Sequence, residues 1–135
     1  MTAGAQLMRD FLPASPFARA AGVRLEEIEA DRARLALPFT ETVVTLGDLV
    51  HGGAISTLAD CAAMAAAWSA VDVVGDPPRG TTVGLSIDFL AAARGRDLLA
   101  DARVLRRGGS MCFCDVEVRA GDTLVAKALV TYKLG

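Results

Sequence analysis

Apolar and polar residues alternate along much of this chain, with the period of two that is typical of half-buried β-strands. The alternation predicts two short strands at residues 23–30 and 32–38, and four more strands after residue 80. Glycine-containing segments predict the turns between the last four strands. These turns are Arg94-Gly95-Arg96, Gly108-Gly109 and Ala120-Gly121-Asp122. We therefore expect six strands in an antiparallel sheet with one apolar face.

Alternate positions indicate which side chains of this sheet face the core. In the second strand, Ala36 is expected to point outward with the arginines. The residues expected to point inward are Ala33, Leu35 and Leu37; Val83, Leu85, Ile87 and Phe89; Ala100, Ala102 and Val104; Cys112, Cys114, Val116 and Val118; and Leu124, Ala126, Ala128, Val130 and Tyr132.

The alternation is interrupted at residues 51–70, HGGAISTLADCAAMAAAWSA, which are rich in alanine and contain no proline. They predict a helix. Apolar residues cover nearly its whole circumference, so we expect it to be buried on all sides. A membrane span is an alternative for a run of this length, but Asp60 near its middle argues against that. Six strands with one buried helix after the second predict the α+β class, with the sheet curled around the helix.

The first 22 residues predict a helical lead-in. A short helix over Ala5–Leu12 is expected to stop at Pro13, and Ser15-Pro16 is typical of an N-cap followed by the first position of a helix. Gly22 is expected to close that second helix in the left-handed conformation. Residues 40–50 are expected to form a loop. Because the chain has neither repeats nor a long polar linker, residues 1–135 are expected to form one domain.

Composition narrows the classes of function. Of the 135 residues, 53% are hydrophobic and 22% charged, which excludes a disordered chain. The net charge of −2 and the absence of long runs of like charge argue against nucleic acid as a partner. Three cysteines cannot all pair, and Cys112 and Cys114 lie too close in one strand to bridge. Reduced thiols and an N-terminus without an export signal favour a cytoplasmic location and no membrane association.

Asp60 is the one charged residue in the apolar helix. At 100° per residue it shares a face with Gly53, Ser56, Thr57 and Met64. A carboxylate in such a place costs several kcal/mol unless it is paired, and the helix contains no Lys or Arg. Either hydroxyls or amides across a subunit interface satisfy it, or it takes part in chemistry.

The helix begins with His51-Gly52-Gly53. Two residues without a Cβ at a helix N-terminus allow a ligand to approach unpaired backbone N–H groups, where the helix dipole adds partial positive charge. This arrangement suits a carbonyl oxygen that gains negative charge during acyl transfer. A pair of glycines can also form a plain turn. The combination with an aspartate seven residues after Gly53 favours the oxyanion interpretation.

The segment VHGGAISTLADCAAMAAAWS, residues 50–69, closely resembles the hotdog-fold acyl-CoA thioesterases of the phenylacetate-pathway (PaaI-like) type. The resemblance extends more loosely to SPFARAAGVRL before this segment and to TTVGLSIDFLAAARGRDLLADARVLRRGG after it. It implies a hotdog fold, in which a curved antiparallel sheet of about six strands wraps around one long helix. It also implies that the Gly52 N–H polarises the thioester carbonyl and that Asp60 is the nucleophile or general base.

The resemblance implies further contacts with the substrate. Family members commonly have Asn or Gln six residues before the histidine, where this chain has Thr45, so the way the attacking water is held is expected to differ. Thr82 matches a position whose hydroxyl contacts the thioester or water. The other candidate substrate-binding residues are His51, Gly53, Arg107, Gly109 and Ser110. Further candidates for the coenzyme A phosphates are Arg94, Arg96, Arg106 and Lys133.

Gly52 and Asp60 are eight residues apart, which separates them by about 12 Å along one helix. Both cannot act on one carbonyl within one chain. Two antiparallel helices across a two-fold axis bring Gly52 of one subunit near Asp60 of the other, so we expect a homodimer with two composite sites, or a dimer of dimers. Hotdog proteins, which this chain resembles, have their sites at the dimer interface.

An acyl-CoA thioesterase is therefore the leading hypothesis, with coenzyme A as part of the substrate and no separate cofactor. A non-catalytic protein that binds or senses acyl-CoA is the alternative, because a fold does not fix a function. A hotdog dehydratase is disfavoured by the spacing of the acid and the histidine. His51 has no neighbours with metal-ligand spacing, so we expect no metal. Cys61 is expected to fill the core, and the acyl group is not predicted.

Overall fold

The computed structural model describes residues 1–135. Three helices and eight strands follow one another along the chain. They are α1 (Ala3–Ala14), α2 (Pro16–Ala21), β1 (Arg24–Glu29), β2 (Arg32–Leu37), β3 (Val44–Leu46), β4 (Leu49–Val50), α3 (Gly52–Trp68), β5 (Gly80–Phe89), β6 (Leu98–Arg107), β7 (Met111–Ala120) and β8 (Thr123–Leu134).

Six strands form one antiparallel sheet in the order β1-β2-β6-β7-β8-β5. The sheet wraps around α3, which confirms the predicted architecture. Alanines at the contact surface of α3 allow the strands to approach the helix closely, and Leu58, Ala62 and Ala66 are fully buried there. The inward faces of β6 and β7 are as predicted. Ala36, expected to point outward, is buried as well.

Register shifts interrupt the side-chain alternation in five of the six strand pairs, and the sequence pattern does not reveal them. In β5 the register shifts between Thr82 and Gly84, so Val83 is an extra residue and Thr82 faces α3 together with Leu85. In β8 a shift beside Val118 and Arg119 makes Val125 the buried residue in place of Leu124. The predicted inward positions of Val83 and Leu124 are therefore wrong. The other shifts lie between Val104 and Arg106, between Leu25 and Glu27, and between Val44 and Leu46.

The expectation that α3 is buried on all sides is wrong for the single chain. The sheet covers most of its circumference but leaves one partly exposed face, formed by Gly53, Ser56, Thr57, Asp60, Cys61 and Met64. The single curved sheet of this chain does not extend around the helix as far as this face. The polar positions that the helical projection placed together thus lie on the side that the chain itself leaves open.

Two other predicted segments differ from the structure. Pro13 does not stop α1, which continues through it to Ala14, because a proline in the last turn removes only one intrahelical hydrogen bond. Ser15 and Pro16 begin α2 as predicted, although the Ser15 side chain makes no capping bond, and Gly22 ends it at φ 89°. Residues 40–50, expected to be a loop, contain a 3₁₀ turn and the β3-β4 hairpin.

No helix in the structure combines the length and the hydropathy needed to cross a bilayer.

Candidate active site

The first turn of α3 leaves one backbone donor free. The Gly53 N–H donates to Nδ1 of His51 at 2.7 Å, and the N–H groups of Ala54 and Ile55 both donate to the His51 carbonyl. The Gly52 N–H has no partner in the chain. It lies at the positive end of the helix dipole, where an oxygen that gains negative charge is stabilised.

Phe89, at the end of β5, lies directly beside Gly52. A Cβ added to Gly52 would be 3.3 Å from Cζ of this ring, so any larger residue would displace it. The two residues share the wall of a cavity of about 390 Å³. Its lining is apolar apart from Gly52 and consists of Leu49, Val50, Gly52, Ile55, Phe89, Leu90, Ala91, Ala92 and Ala93. The unpaired Gly52 N–H therefore lies beside an apolar cavity.

Backbone hydrogen bonds fix the segments on both sides of the cavity and the start of α3. The His51 N–H donates to the carbonyl of Val43 at 2.8 Å, and the Val50 N–H donates to that of Ala93 at 2.9 Å. The N–H groups of Leu90 and Ala91 both donate to Val125 in β8. The start of α3 is thus fastened to the 3₁₀ turn on one side and to the segment after β5 on the other.

Asp60 lies on the partly exposed face of α3, and its partner comes from β5. Oγ1 of Thr82 donates to Oδ1 of Asp60 at 2.6 Å, which leaves Oδ2 available. The bulge at Val83 makes this contact possible, because without it Thr82 and Leu85 would point to opposite faces. Ser56 and Thr57 donate instead to the carbonyls four residues earlier in α3.

Cys61 is next to Asp60 in the chain, but its thiol is not a nucleophile. Burial and the neighbouring Asp60 carboxylate raise the pKa of the Cys61 thiol to about 12, so it remains protonated near neutral pH. Burial also raises the pKa of Tyr132, whose hydroxyl accepts a hydrogen bond from Nε1 of Trp68 at 3.0 Å. Asp60 is therefore the group on this face that can act as a base or a nucleophile.

The structure brings some of the predicted site residues together and separates others. His51, Gly52 and Gly53 form one group at the start of α3, while Asp60 and Thr82 form another about 12 Å along the helix. Thr45 is exposed in β3, before the helix. Gly109 and Ser110 lie in the turn between β6 and β7. Phe89 was not predicted as a site residue, because only the packing of β5 against α3 reveals its position.

The predicted phosphate-binding residues differ in their surroundings. The Arg107 guanidinium donates to Oδ1 of Asp31 at 2.8 Å and to the carbonyls of Ala66 and Ala67 at the C-terminal end of α3. Arg94 pairs with Asp48 at 3.2 Å. Arg96, Arg106 and Lys133 form no ion pair. No group of three or more His, Cys, Asp or Glu side chains converges on a possible metal site.

Comparison with known proteins identifies the family. Residues 47–127 match the model of the thioesterase superfamily, a segment that contains Gly52, Asp60 and Thr82. The medium/long-chain acyl-CoA thioesterase YigI of Salmonella typhimurium is 30% identical over 89% of this chain and 86% of its own length. The chain therefore belongs to the thioesterase superfamily. It is a thioester hydrolase with the hotdog fold.

Solved structures agree with this fold. A conserved protein of Pseudomonas aeruginosa, PA5202, is 27% identical and superposes with a TM-score of 0.82 over 90% of this chain and 94% of its own. A thioesterase family protein from Silicibacter pomeroyi gives a TM-score of 0.85 at 24% identity, covering 98% and 99% of the two chains. The match is to the superfamily as a whole, so the PaaI-like type remains a prediction.

Proposed function

We propose that this protein hydrolyses acyl-CoA thioesters, with the Gly52 N–H as donor to the thioester oxygen and Asp60 as nucleophile or general base. The observation that carries the proposal is the unpaired Gly52 N–H at the positive end of α3, beside an apolar cavity. A backbone donor fixed in this way stabilises the oxygen as it gains charge and needs no rearrangement during the reaction.

The apolar cavity supports a hydrocarbon acyl group. It contains no charged side chain, and its volume of about 390 Å³ lies in the range of small-molecule sites. The Salmonella relative is a medium/long-chain acyl-CoA thioesterase, which fits the same class of substrate. We therefore propose that medium-chain acyl-CoAs are hydrolysed faster than short or polar ones. Coenzyme A enters as part of the substrate, and no metal or separate cofactor is needed.

We further propose that each site is built by two chains. Gly52 and Asp60 are about 12 Å apart on one helix, too far to act on one carbonyl carbon. The partly exposed face of α3 and the free edge of β5, where Val83 and Phe89 are about half exposed, offer an apolar surface for a second copy. In a symmetric dimer the Gly52 N–H of one chain faces Asp60 of the other.

Two reaction routes fit these groups. As general base, Asp60 takes a proton from water while the water oxygen attacks the carbonyl carbon, and it returns the proton to the coenzyme A sulfur as the C–S bond breaks. As nucleophile, an Asp60 oxygen attacks the carbon and displaces the thiolate, and water then hydrolyses the anhydride. In both routes Thr82 holds Oδ1 and leaves Oδ2 for the reaction.

Thiol release from a series of acyl-CoAs tests the proposal. We expect hydrolysis of decanoyl-CoA, and a decrease in kcat of about 10²-fold or more for Asp60→Asn, which has nearly the same volume but no charge. The melting temperature of the variant serves as the control for folding. If no acyl-CoA releases thiol, the proposed substrate class is wrong. If Asp60→Asn hydrolyses decanoyl-CoA at the wild-type rate, the proposed role of Asp60 is wrong.

A further inference from the structure

The ring of Phe89 forms the part of the cavity wall that lies beside Gly52. Its Cζ and Cε1 atoms are 3.3 and 3.5 Å from the position that a Cβ on Gly52 would occupy. An oxygen bound by the Gly52 N–H lies about 2.9 Å from the nitrogen, which places its carbonyl carbon at most about 4 Å away. Because Gly52 and Phe89 share the cavity wall, an acyl group that enters the cavity from this carbonyl passes the ring with its first carbons.

The sheet fixes the backbone of Phe89. This residue is the last of β5 and pairs with Ala126 in β8. The next two N–H groups, those of Leu90 and Ala91, both donate to the carbonyl of Val125. The side chain is about half exposed in the single chain, on the edge that the proposed second copy covers. The ring therefore cannot retreat from Gly52 by a shift of its backbone.

Smaller side chains follow the ring along the cavity wall. Ala91–Ala93 come directly after Leu90 in the chain, and each projects only a methyl group. A phenyl ring at the carbonyl and methyl groups further along give the wall its shape. The restriction on the acyl group thus falls on the carbon next to the carbonyl rather than along the whole chain.

We propose that Phe89 determines specificity at this carbon: it admits an unbranched acyl group and excludes one that carries a methyl or larger substituent next to the carbonyl. Such a substituent overlaps the ring when the oxygen is bound by the Gly52 N–H. A misfit of one methyl group in an apolar pocket changes kcat/KM by about 10- to 200-fold. The inference rests on the proposed function and adds the shape of the acyl group to it.

Two isomeric thioesters test the proposal, namely 2-methyldecanoyl-CoA and 6-methyldecanoyl-CoA, which differ only in the position of the branch. In wild type we expect kcat/KM for the 2-methyl isomer to be about tenfold or more below that for the 6-methyl isomer. In Phe89→Ala we expect the ratio of the two values to rise by about tenfold or more in favour of the 2-methyl isomer. The lower chemical reactivity of a thioester branched beside its carbonyl is the same for both proteins and cancels in this comparison.

Phe113→Ala is the matched control, because it makes the same substitution in β7 at a side chain that is not part of the cavity wall. We expect it to keep the wild-type ratio. Phe89→Leu serves if light scattering shows that Phe89→Ala changes the association state, since leucine keeps an apolar side chain on the edge of β5. Its ratio is expected to lie between those of wild type and Phe89→Ala. The proposal is overturned if wild type does not distinguish the isomers, or if both Phe89 variants keep the wild-type ratio.

A second measurement does not depend on hydrolysis. Ketone analogues with a methylene group between the sulfur and the carbonyl carbon keep the oxygen but cannot release thiol. By calorimetry we expect the ketone with a methyl branch beside its carbonyl to bind wild type about tenfold or more weakly than the unbranched ketone, and Phe89→Ala to lose this difference.

The two measurements separate this inference from the proposed function. If the ketones show the expected difference but no acyl-CoA releases thiol, the role of Phe89 is supported and the proposed function is wrong. If acyl-CoAs are hydrolysed but wild type binds both ketones equally, the role of Phe89 is wrong and the proposed function stands. If neither ketone binds and no thiol is released, both are wrong.

Discussion

At the residue scale, the hydrogen bond from Thr82 in β5 holds the carboxylate of Asp60, the proposed nucleophile or general base. Thr82→Val keeps the shape of the side chain and removes the donor. Hydrogen bonds to charged groups contribute about 1.5–3 kcal/mol. If the bond orients Asp60 in the transition state, we expect kcat to fall by about 10- to 10²-fold with little change in KM.

Thr81→Val is the matched control for this prediction. Thr81 is the neighbouring residue in β5, is exposed, and its hydroxyl contacts only the carbonyl of Thr82 at 3.5 Å. We expect this variant to hydrolyse decanoyl-CoA at the wild-type rate. Equal kcat values for the two variants would show that the Thr82 hydroxyl does not orient the Asp60 carboxylate.

Buried thiols make stability depend on alkaline pH. Burial raises the pKa of both Cys61 and Cys114 from the ordinary value of 9.0 to about 12. Above pH 9 the unfolded chain loses these protons while the folded chain keeps them, so the free energy of unfolding falls as pH rises from about 9 to 12. We expect the free energy of unfolding of Cys114→Val, measured by urea titration, to fall less steeply with pH over this range. An unchanged slope in this variant would contradict the assignment to Cys114.

At the element scale, Arg107 fixes the C-terminal end of α3. Its guanidinium donates to Asp31 and, at 2.9 Å, to the carbonyl of Ala67 in the last turn. A longer bond of 3.4 Å reaches the carbonyl of Ala66, which also accepts from Ser69. Arg107→Lys keeps the charge but cannot form the same fork of bonds. We expect both Arg107→Ala and Arg107→Lys to lower the free energy of unfolding by about 1–3 kcal/mol in urea titrations.

The same variants test whether Arg107 also binds coenzyme A. If its role is only to anchor the helix, KM for decanoyl-CoA stays within about twofold of wild type at a temperature where the variants are folded. A large rise in KM without loss of stability would assign Arg107 to the coenzyme A phosphates. Arg9→Ala is the control, because Arg9 is exposed in α1, forms no ion pair and is not a candidate for the coenzyme A phosphates.

The sequence is most informative about elements whose pattern is local. The alternation in β6 and β7 and the alanine-rich run predict these strands and α3 correctly. Each of these elements buries apolar residues at regular positions, which leaves a local pattern in the sequence. The bulges at Val83 and beside Val118 are not predictable from the pattern, since an extra residue in one strand depends on its partner strand. The helical projection places the polar residues of α3 on one face, and the structure leaves that face partly exposed, but the pattern does not show which neighbour covers it.

The residues of the candidate site likewise differ in whether the sequence predicts them. His51, Gly52 and Asp60 can be singled out because they are close in sequence and unusual in type. Phe89 beside Gly52 and the bond of Arg107 to α3 could not be predicted, since both contacts join residues far apart in the chain.

At the scale of the whole molecule, the free edge of β5 favours association. Leu85 is 42% exposed in the single chain although it faces the helix side of the sheet. We expect wild type to be at least a dimer by light scattering, and Leu85→Asp to shift it toward monomer, because a carboxylate on a dry interface is costly. Val73→Asp is the control, since Val73 is 86% exposed in the loop after α3. A wild-type monomer that hydrolyses acyl-CoA would contradict the two-chain site.

Mixing two inactive variants tests which chain supplies each group. Gly52→Val places a branched side chain against Phe89 and blocks the N–H, whereas Asp60→Asn removes the carboxylate. If the groups come from different chains, a heterodimer has one site with both defects and one site with neither. Random exchange makes half of the dimers mixed, so activity returns to about a quarter of wild type per chain. Samples of one variant, exchanged with themselves, should stay inactive. If mass spectrometry shows heterodimers and activity does not return, Gly52 and Asp60 do not form a site across the two chains.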